Sequence, residues 1–398
     1  MNSSDLRQKN RGLVLKLVAT QEYASRISIT RETGLSKMTV TNIVSELINE
    51  NFLIQASSKK SGGAGRNPVL LDISPQAPVI LGFYISRLHI EAAISNLKGK
   101  LLWRESVPLK DENALSLEEK LINLAKAAVR RAENRILGVG VSAIGPLEQN
   151  DGVLINPTNF YGIEDFPVRA LLERVCKAKV YVSNDTNAAA LAELLLGAGK
   201  ELDNFIYIGI SSGIGAGIVS QKELYQNGSD YAGELGHTII KYDGELCACG
   251  NRGCLELYAN IQTLSQKLAL AGGLAAGTVS PQNFEELSLN KKCDEIFSDM
   301  AVKLSYALIN AVNLFNPQKI LLGHEGGMLP QKYISQMEEY VNKHIFAAKV
   351  NKVKIERAYF GEDSPLYGGV CCVLNQLFNG DISVSYTHLR AHETSAHL

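Results

Sequence analysis

The sequence predicts a two-lobed α/β chain with a small, basic, helical head at its N-terminus. Three observations point there. A strand–hairpin string that begins at Val79 returns once, over 205–225; helical segments lie between the two copies; and the first 68 residues are basic whereas the remainder is acidic. At 398 residues the chain exceeds one ordinary core, so two or three packed units are expected. Hydrophobic residues make up 45% and charged residues 20%, the balance of a water-soluble globular protein. No apolar run approaches the roughly 18 residues of a membrane span. The opening MNSSDLRQKNRG has neither an apolar core nor a small-residue cleavage site, so no secretory signal is expected. That places the chain in the cytosol, with its thiols reduced.

The head comes first. Residues 1–68 hold ten Lys/Arg against five Asp/Glu, so a net −1 overall divides into about +5 and about −6. A basic end on an acidic body suggests a polyanionic partner. Leu13, Leu15, Leu17 and Val18 mark a first short helix within Arg7–Ala19. Ser28 is expected to cap a second, SITRET, which Gly34 stops; Ser36 caps a third, SKMTVTNIVSELINEN. In the third helix Val40, Ile43, Val44, Leu47 and Ile48 recur at helical spacing and leave the opposite face polar. Two short helices joined by a glycine turn, then a longer one, fit a helix-turn-helix. Ser36, Lys37, Thr39, Thr41 and Asn42 would then meet base edges and phosphates in a major groove. FLIQASSKKSGGAGRNPVLLDI follows as strand, basic Gly-rich loop and strand, the shape of a wing. Lys59, Lys60 and Arg66 stand where a wing touches the DNA backbone or minor groove. The competing reading is a small helical cap with a hairpin. RETGLSKMTVTNIVSELINENFLI, with GGAGRNPVLL after it, resembles the winged helix of sugar-responsive repressors of the ROK family.

Pro75 and Pro78 mark a linker, which divides a head over 1–74 from a body over 78–380. VILGFYISRLHIEAAISNLKGKLLW reads as three strands joined by turns, and FIYIGISSGIGAGIVSQKELY repeats the plan. Residues 116–133 form an amphipathic helix, and RILGVGVSAIG a buried strand running into a glycine loop. Two such units imply two lobes with a cleft between them. SNDTNAAALAE, GISSGIGAGIV, GELGH, CACGNRGCLE and NLFNPQKILLGHEGG resemble, in this order, the motifs of the ROK family of sugar kinases and repressors. The resemblance covers about residues 10–378 and implies an actin-like, hexokinase-like ATPase fold.

Cys247, Cys249 and Cys254 form C-x-C-x4-C between bending glycines, with His237 upstream. Three thiolates and an imidazole suit tetrahedral Zn2+ in a closed structural site. Buried inert thiols are the alternative, and Cys176, Cys293, Cys371 and Cys372 read that way. The resemblance assigns zinc to His237, Cys247, Cys249 and Cys254. It also implies sugar contacts at Asn184, Asp185, Glu234, His237 and Glu256, and at Asn159 of NPTNF. His237 would serve metal and sugar with one ring nitrogen each.

In the family's kinases, the residue matching Asp185 takes the proton from the attacking sugar hydroxyl, and a D-x-G-G-T turn holds the ATP phosphates. In FYISRLHIEAA, Tyr84 stands in place of the acid and Ser86-Arg87-Leu88 in place of Gly-Gly-Thr, so side chains are expected to fill the phosphate space. The reading is therefore a sugar-binding body without catalysis: Asp185 is a vestigial base, and no ATP or Mg2+ is required. The head would bind operator DNA as part of a homodimer or homotetramer, away from any membrane, with a monosaccharide as effector. An ATP-dependent sugar kinase with a DNA-binding head is the rival, and a zinc-stabilised protein-interaction module a third reading. The closing VSYTHLRAHETSAHL carries His388, His392 and His397 without apolar periodicity, so 381–398 reads as a non-native tail.

Overall fold

The computed structural model describes residues 3–21, 24–56, 69–132, 135–225, 232–275 and 277–382. It opens with helix α1 (Ser3–Thr20), strand β1 (Ala24–Ser25), helices α2 (Arg26–Thr33) and α3 (Lys37–Asn49), and strands β2 (Leu53–Ala56) and β3 (Leu70–Ile73). The three strands pair antiparallel in the order β1-β3-β2. The Lys59, Lys60 and Arg66 expected in the connecting loop lie outside the described residues.

Helix α2 begins before the residue that sequence reasoning chose as its cap. Ser25 is the cap: its Oγ accepts the Ser28 N–H at 3.2 Å, and Ser28 Oγ accepts the Ser25 N–H at 2.9 Å. This reciprocal box satisfies two orphan amides at once, which a single cap at Ser28 would not. Gly34 ends the helix in the left-handed region, with φ 68°. Ser36 does cap α3, accepting the Thr39 N–H at 3.1 Å. Val40, Ile43, Val44 and Leu47 are buried and Ile48 is half-buried. In α1 the buried face is Val14, Leu15, Val18 and Ala19; Leu13 turns to solvent, because it lies off the stripe that positions 14, 15 and 18 define. Arg11 is buried and ties α1 to α3 through Glu46, at 2.8 Å, and Glu50.

The body contains two five-stranded sheets of one design. The first uses β4 (Val79–Ile85), β5 (His89–Ser95) and β6 (Leu101–Pro108), antiparallel. After α4 (Ala114–Arg131), β7 (Ile136–Ala143) pairs parallel to β4. A two-residue ladder, β8 (Leu147–Glu148) with β9 (Val153–Leu154), and α5 (Val168–Cys176) lead to β10 (Val180–Asn184), parallel to β7. Helix α6 (Asp185–Leu196) then crosses to the second sheet. There β11 (Phe205–Ile210), β12 (Ile214–Ser220) and β13 (Glu223–Leu224) are antiparallel. Helices α7 (Glu256–Ala259), α8 (Ile261–Gly272), α9 (Phe284–Leu287) and α10 (Lys291–Phe315) precede β14 (Lys319–Gly323), and α11 (Gln331–His344) precedes β15 (Lys354–Arg357). Strand β14 is parallel to both β11 and β15. The orders β10-β7-β4-β5-β6 and β15-β14-β11-β12-β13 are the same topology, so the repeat seen in sequence is a repeat in space.

The closing helix α12 (Ser364–Asn379) returns to the first sheet and to α6. The Ala-rich run of α6 follows from its surroundings: Ala188, Ala189, Ala190 and Ala192 are fully buried. A Cβ on Gly217 would lie 2.4 Å from Ala190 Cβ, and one on Gly368 would lie 2.5 Å from the Ala188 backbone. Only small residues allow two neighbours this close. The other end of α12 meets α1, where Leu15, Leu47 and Phe52 share one buried cluster with Leu374, Leu377 and Phe378. No helix among the described residues is long and apolar enough to cross a membrane.

Candidate functional site

Strand β10 ends and α6 begins at the floor of the cleft. Asn184 caps the helix, its Oδ1 accepting the N–H of Thr186 at 3.0 Å and of Asn187 at 3.4 Å. Asp185 occupies the first helical position, with Oδ1 accepting the Thr186 N–H at 2.8 Å. The helix dipole attracts negative charge there. The Asp185 side chain is 15% exposed, and it opens into a cavity of about 360 Å³. Asn184, Glu234, His237 and Glu256 line the same cavity, so five of the six residues expected to contact a sugar are brought together from three separate segments. Asn159 is not among them. It is exposed, and it lines an adjoining cavity of about 550 Å³ instead.

The carboxylates are held individually. Glu234 precedes a single turn of 3-10 helix, Leu235–His237; its side chain is about half exposed, and partial loss of water to crowding within the cleft raises its carboxyl above the ordinary range, with Asp185 and Glu256 adding to the effect and His237 opposing it. Glu256 opens α7, and its Oε2 accepts the Ile214 N–H at 3.0 Å. That bond ties the segment after the cysteines to the glycine loop between β11 and β12. Three carboxylates around a small polar cavity suit adjacent hydroxyl groups, which donate to them.

Beside this cavity, ligand atoms of His237, Cys247, Cys249 and Cys254 all lie within 4.8 Å of one another. Cys249 Sγ is 3.6 Å from Cys254 Sγ, and His237 Nδ1 is 3.8 Å from Cys247 Sγ. Zinc–sulfur bonds of about 2.3 Å at tetrahedral angles place two sulfurs about 3.8 Å apart, so the spacing fits a four-coordinate metal ion. Backbone N–H donation from Asn251 lowers the Cys249 thiol to about 7, whereas burial raises Cys254 to about 12. Nδ1 of His237 faces the sulfurs and Nε2 lies 4.0 Å from Glu234 Oε2, so the ring addresses the cysteines and the cavity with different nitrogens. Cys176, Cys293, Cys371 and Cys372 are buried and far from this chemistry; burial raises the thiol pKa of each.

The first hairpin corrects one expectation. Its side chains do not fill the neighbouring space: the 550 Å³ cavity remains, lined by Tyr84, Arg87, Ser211 and Ser212, and Leu88 is 69% exposed on its rim. Two of the turn's donors are already engaged within it. Ser86 Oγ accepts the Leu88 N–H at 3.2 Å and the His89 N–H at 3.0 Å, so these amides are already bonded inside the turn. Tyr84 is buried and offers no carboxylate. Arg87 crosses the cleft, donating to Thr158 O at 2.8 Å and Ser212 Oγ at 3.2 Å. The sequence pointed to Arg87 only as a side chain filling the phosphate space and gave His324 no role, yet both line the 360 Å³ cavity. The signal for His324 was a large polar residue inside the glycine turn LLGHEGG.

In the head, Ser36, Lys37, Thr41 and Asn42 are exposed and Thr39 is half-buried, all on the first turns of α3.

The model of the family described as "ROK family" matches residues 81–376. The chain is 28% identical over 394 residues to a xylose repressor of Caldicellulosiruptor bescii, an alignment covering 95% of this chain and 98% of that one. A crystal structure of a ROK family transcriptional regulator, described as a homologue of an Escherichia coli protein, superposes with TM-score 0.79 at 23% identity, covering 94% of this chain and 98% of the other. A ROK hexokinase from Thermus thermophilus superposes with TM-score 0.62 at 28% identity, covering 74% of this chain and 97% of its own.

Proposed function

This chain belongs to the ROK family, and from that premise we propose that it is a DNA-binding transcriptional repressor of carbohydrate-utilisation genes, controlled by a monosaccharide in a non-catalytic cleft. The similarity to a xylose repressor takes in 95% of the chain, whereas the hexokinase superposition takes in 74%. Residues 1–74 act as a winged helix-turn-helix. Ser36, Lys37, Thr39, Thr41 and Asn42 enter the major groove, and Lys59, Lys60 and Arg66 of the wing reach the backbone or minor groove. In the body, 78–380, Asn184, Asp185, Glu234, His237 and Glu256 hold the sugar. His237, Cys247, Cys249 and Cys254 would hold Zn2+, whose chemistry here is structural, because four protein ligands leave no open position for a reacting water. The cation would fix Glu234 and Glu256 relative to each other.

One observation carries the reading against a kinase: the first hairpin has a buried Tyr84 where a metal-placing acid is expected and a Ser86 that already bonds the Leu88 and His89 amides of the turn, while the polar cavity around Asp185 stays open. A phosphoryl-transfer site depends almost entirely on such positioned donors and a metal-binding acid. Asp185 therefore grips a hydroxyl and abstracts no proton.

The route from sugar to DNA is mechanical. Asp185 heads α6, α6 packs on α12 through Ala188 and Gly368, and α12 packs on α1 through Phe378 and Gly12. A sugar that shifts α6 moves a continuous column of backbone contacts ending in the head. In a dimer this changes the spacing of two recognition helices, and the effector releases DNA only if it binds the released state more tightly.

The test is fluorescence anisotropy with DNA from upstream of adjacent carbohydrate genes, with and without D-xylose and other neutral monosaccharides. Specific binding that a sugar relieves is expected. Absence of specific binding at low and moderate salt refutes the regulator, and sugar-dependent ADP release from ATP that Asp185→Ala abolishes establishes the kinase instead.

A further inference from the structure

We propose that His324 is a further residue of the sugar cavity, orienting Asp185 and offering an Nε2–H to the bound monosaccharide; this rests on the sugar reading above. His324 opens the 3-10 turn His324–Met328 after β14, and it is 3% exposed. Its φ is 51°, in the left-handed region that residues other than glycine enter only at a cost. Such strain persists only where the surroundings impose it, and it concentrates at ligand sites. The surroundings here are specific. Gly209 lies under the ring, where a Cβ would come within 2.8 Å of both Cε1 and Nδ1. Gly323 admits the Tyr207 hydroxyl, which a Cβ would meet at 2.0 Å. That hydroxyl accepts the His324 backbone N–H at 3.0 Å and sits 2.9 Å from Nδ1.

These contacts fix the ring's protonation pattern. Nε2 faces Asp185 Oδ2 at 3.7 Å. If Nε2 lacked its proton, a lone pair would oppose the carboxylate. With the Tyr207 O–H donated to Nδ1, the hydrogen is on Nε2, on the side of the ring that faces the acid; this is the tautomer the proposal takes. The 3.7 Å separation exceeds a direct hydrogen bond, which spans about 2.7–3.2 Å. The pair thus presents one donor and one acceptor across a gap. A sugar hydroxyl about 2.8 Å from each would accept from Nε2–H and donate to Oδ2. Asp185 Oδ1 is already occupied by the Thr186 N–H, so Oδ2 is the oxygen left to do this.

The experiment is calorimetric titration of the full chain with a panel of D-xylose, D-glucose and N-acetylglucosamine, followed by the tightest binder against His324→Gly, His324→Asn, Tyr207→Phe, Asp185→Asn and the double variant Asp185→Asn/His324→Gly. His324→Gly is expected to weaken binding at least tenfold. His324→Asn, which tolerates the left-handed backbone and keeps an N–H donor, should recover part of that loss, and it serves as the test if the glycine variant does not fold. Tyr207→Phe should weaken binding by freeing the ring. The two single losses at 185 and 324 should not multiply, the double variant binding within about twofold of the worse single one. Affinity within twofold of wild type in His324→Gly, or losses that multiply fully in the double variant, overturns the role of His324 alone. Silence of the wild type across the whole panel overturns the sugar reading, and this proposal with it.

Discussion

The docking of the head on α12 makes a sharp prediction at Gly12. A Cβ there would lie 2.4 Å from the Phe378 carbonyl oxygen, 2.7 Å from that of Leu377 and 2.8 Å from the Phe378 carbonyl carbon. All three atoms are backbone, so no side chain can swing away and the helices must separate. Overpacking of this kind costs about 1–3 kcal/mol. Alanine returns about 1 kcal/mol of helix propensity relative to glycine. Because the clash is with main-chain atoms of α12 that cannot rotate away, the steric cost lies at the upper end, and Gly12→Ala should lose about 2 kcal/mol net. Differential scanning fluorimetry should show a melting temperature lower by several degrees. Anisotropy should show DNA binding that sugar no longer relieves fully, since the column from α6 to α1 is interrupted. Gly12→Val, with two more carbons at the same point, should be worse on both counts. A Gly12→Ala protein as stable as wild type, with full sugar response, refutes the claim that α1 and α12 act as one unit.

Other perturbations separate the remaining contributions. Lys37→Ala should weaken DNA binding at every sequence and reduce the slope of log affinity against log salt by about 1, because the side chain is exposed and, in the proposed recognition helix, would supply one phosphate contact. Cys249→Ser should lower the bound zinc measured by atomic emission and weaken sugar binding together, since Glu234 and Glu256 flank the cluster; sugar affinity that survives loss of the metal separates the two. The Glu112 carboxyl is held down at about 2 by hydrogen bonds from Lys120 and Ser116 and from the Lys110 N–H. A depressed carboxyl contributes stability that is present above its unfolded value, near 4.5, and is lost as pH falls towards about 2. Glu112→Gln should therefore be less stable than wild type at pH 6 in urea unfolding, with the difference shrinking as pH drops from 4.5; a difference independent of pH refutes the assignment.

How much of this was legible in the residues varies with the range of the interaction. Hydrophobic spacing located α3 and its buried face, because a helix displays residues three and four apart on one side whatever lies opposite. Gly34 and Ser36 were readable as stop and start for the same local reason. The cap of α2 was misplaced because both Ser25 and Ser28 have the right chemistry, and which of them caps depends on where the chain enters from β1. Leu13 was put inside because apolar character alone does not say which stripe of α1 meets α12.

The chain by itself determined its repeated halves, its basic head, the four metal-type ligands and the acids at 185, 234 and 256. The halves and the head follow from period and composition, which are properties of short segments, and the cysteine spacing suits a metal; the full ligand set and the three acids came from the resemblance of short motifs to the ROK family. Tertiary structure alone decided which of those residues share a cavity, and it moved Asn159 to the neighbouring one. It also revealed that Ser86 closes its own turn, that Arg87 spans the cleft and that His324 is wedged between Tyr207 and Asp185. Contacts between residues more than 100 positions apart depend on how two sheets stack. A sequence specifies that stacking only through the sum of its packing, and no single motif records it.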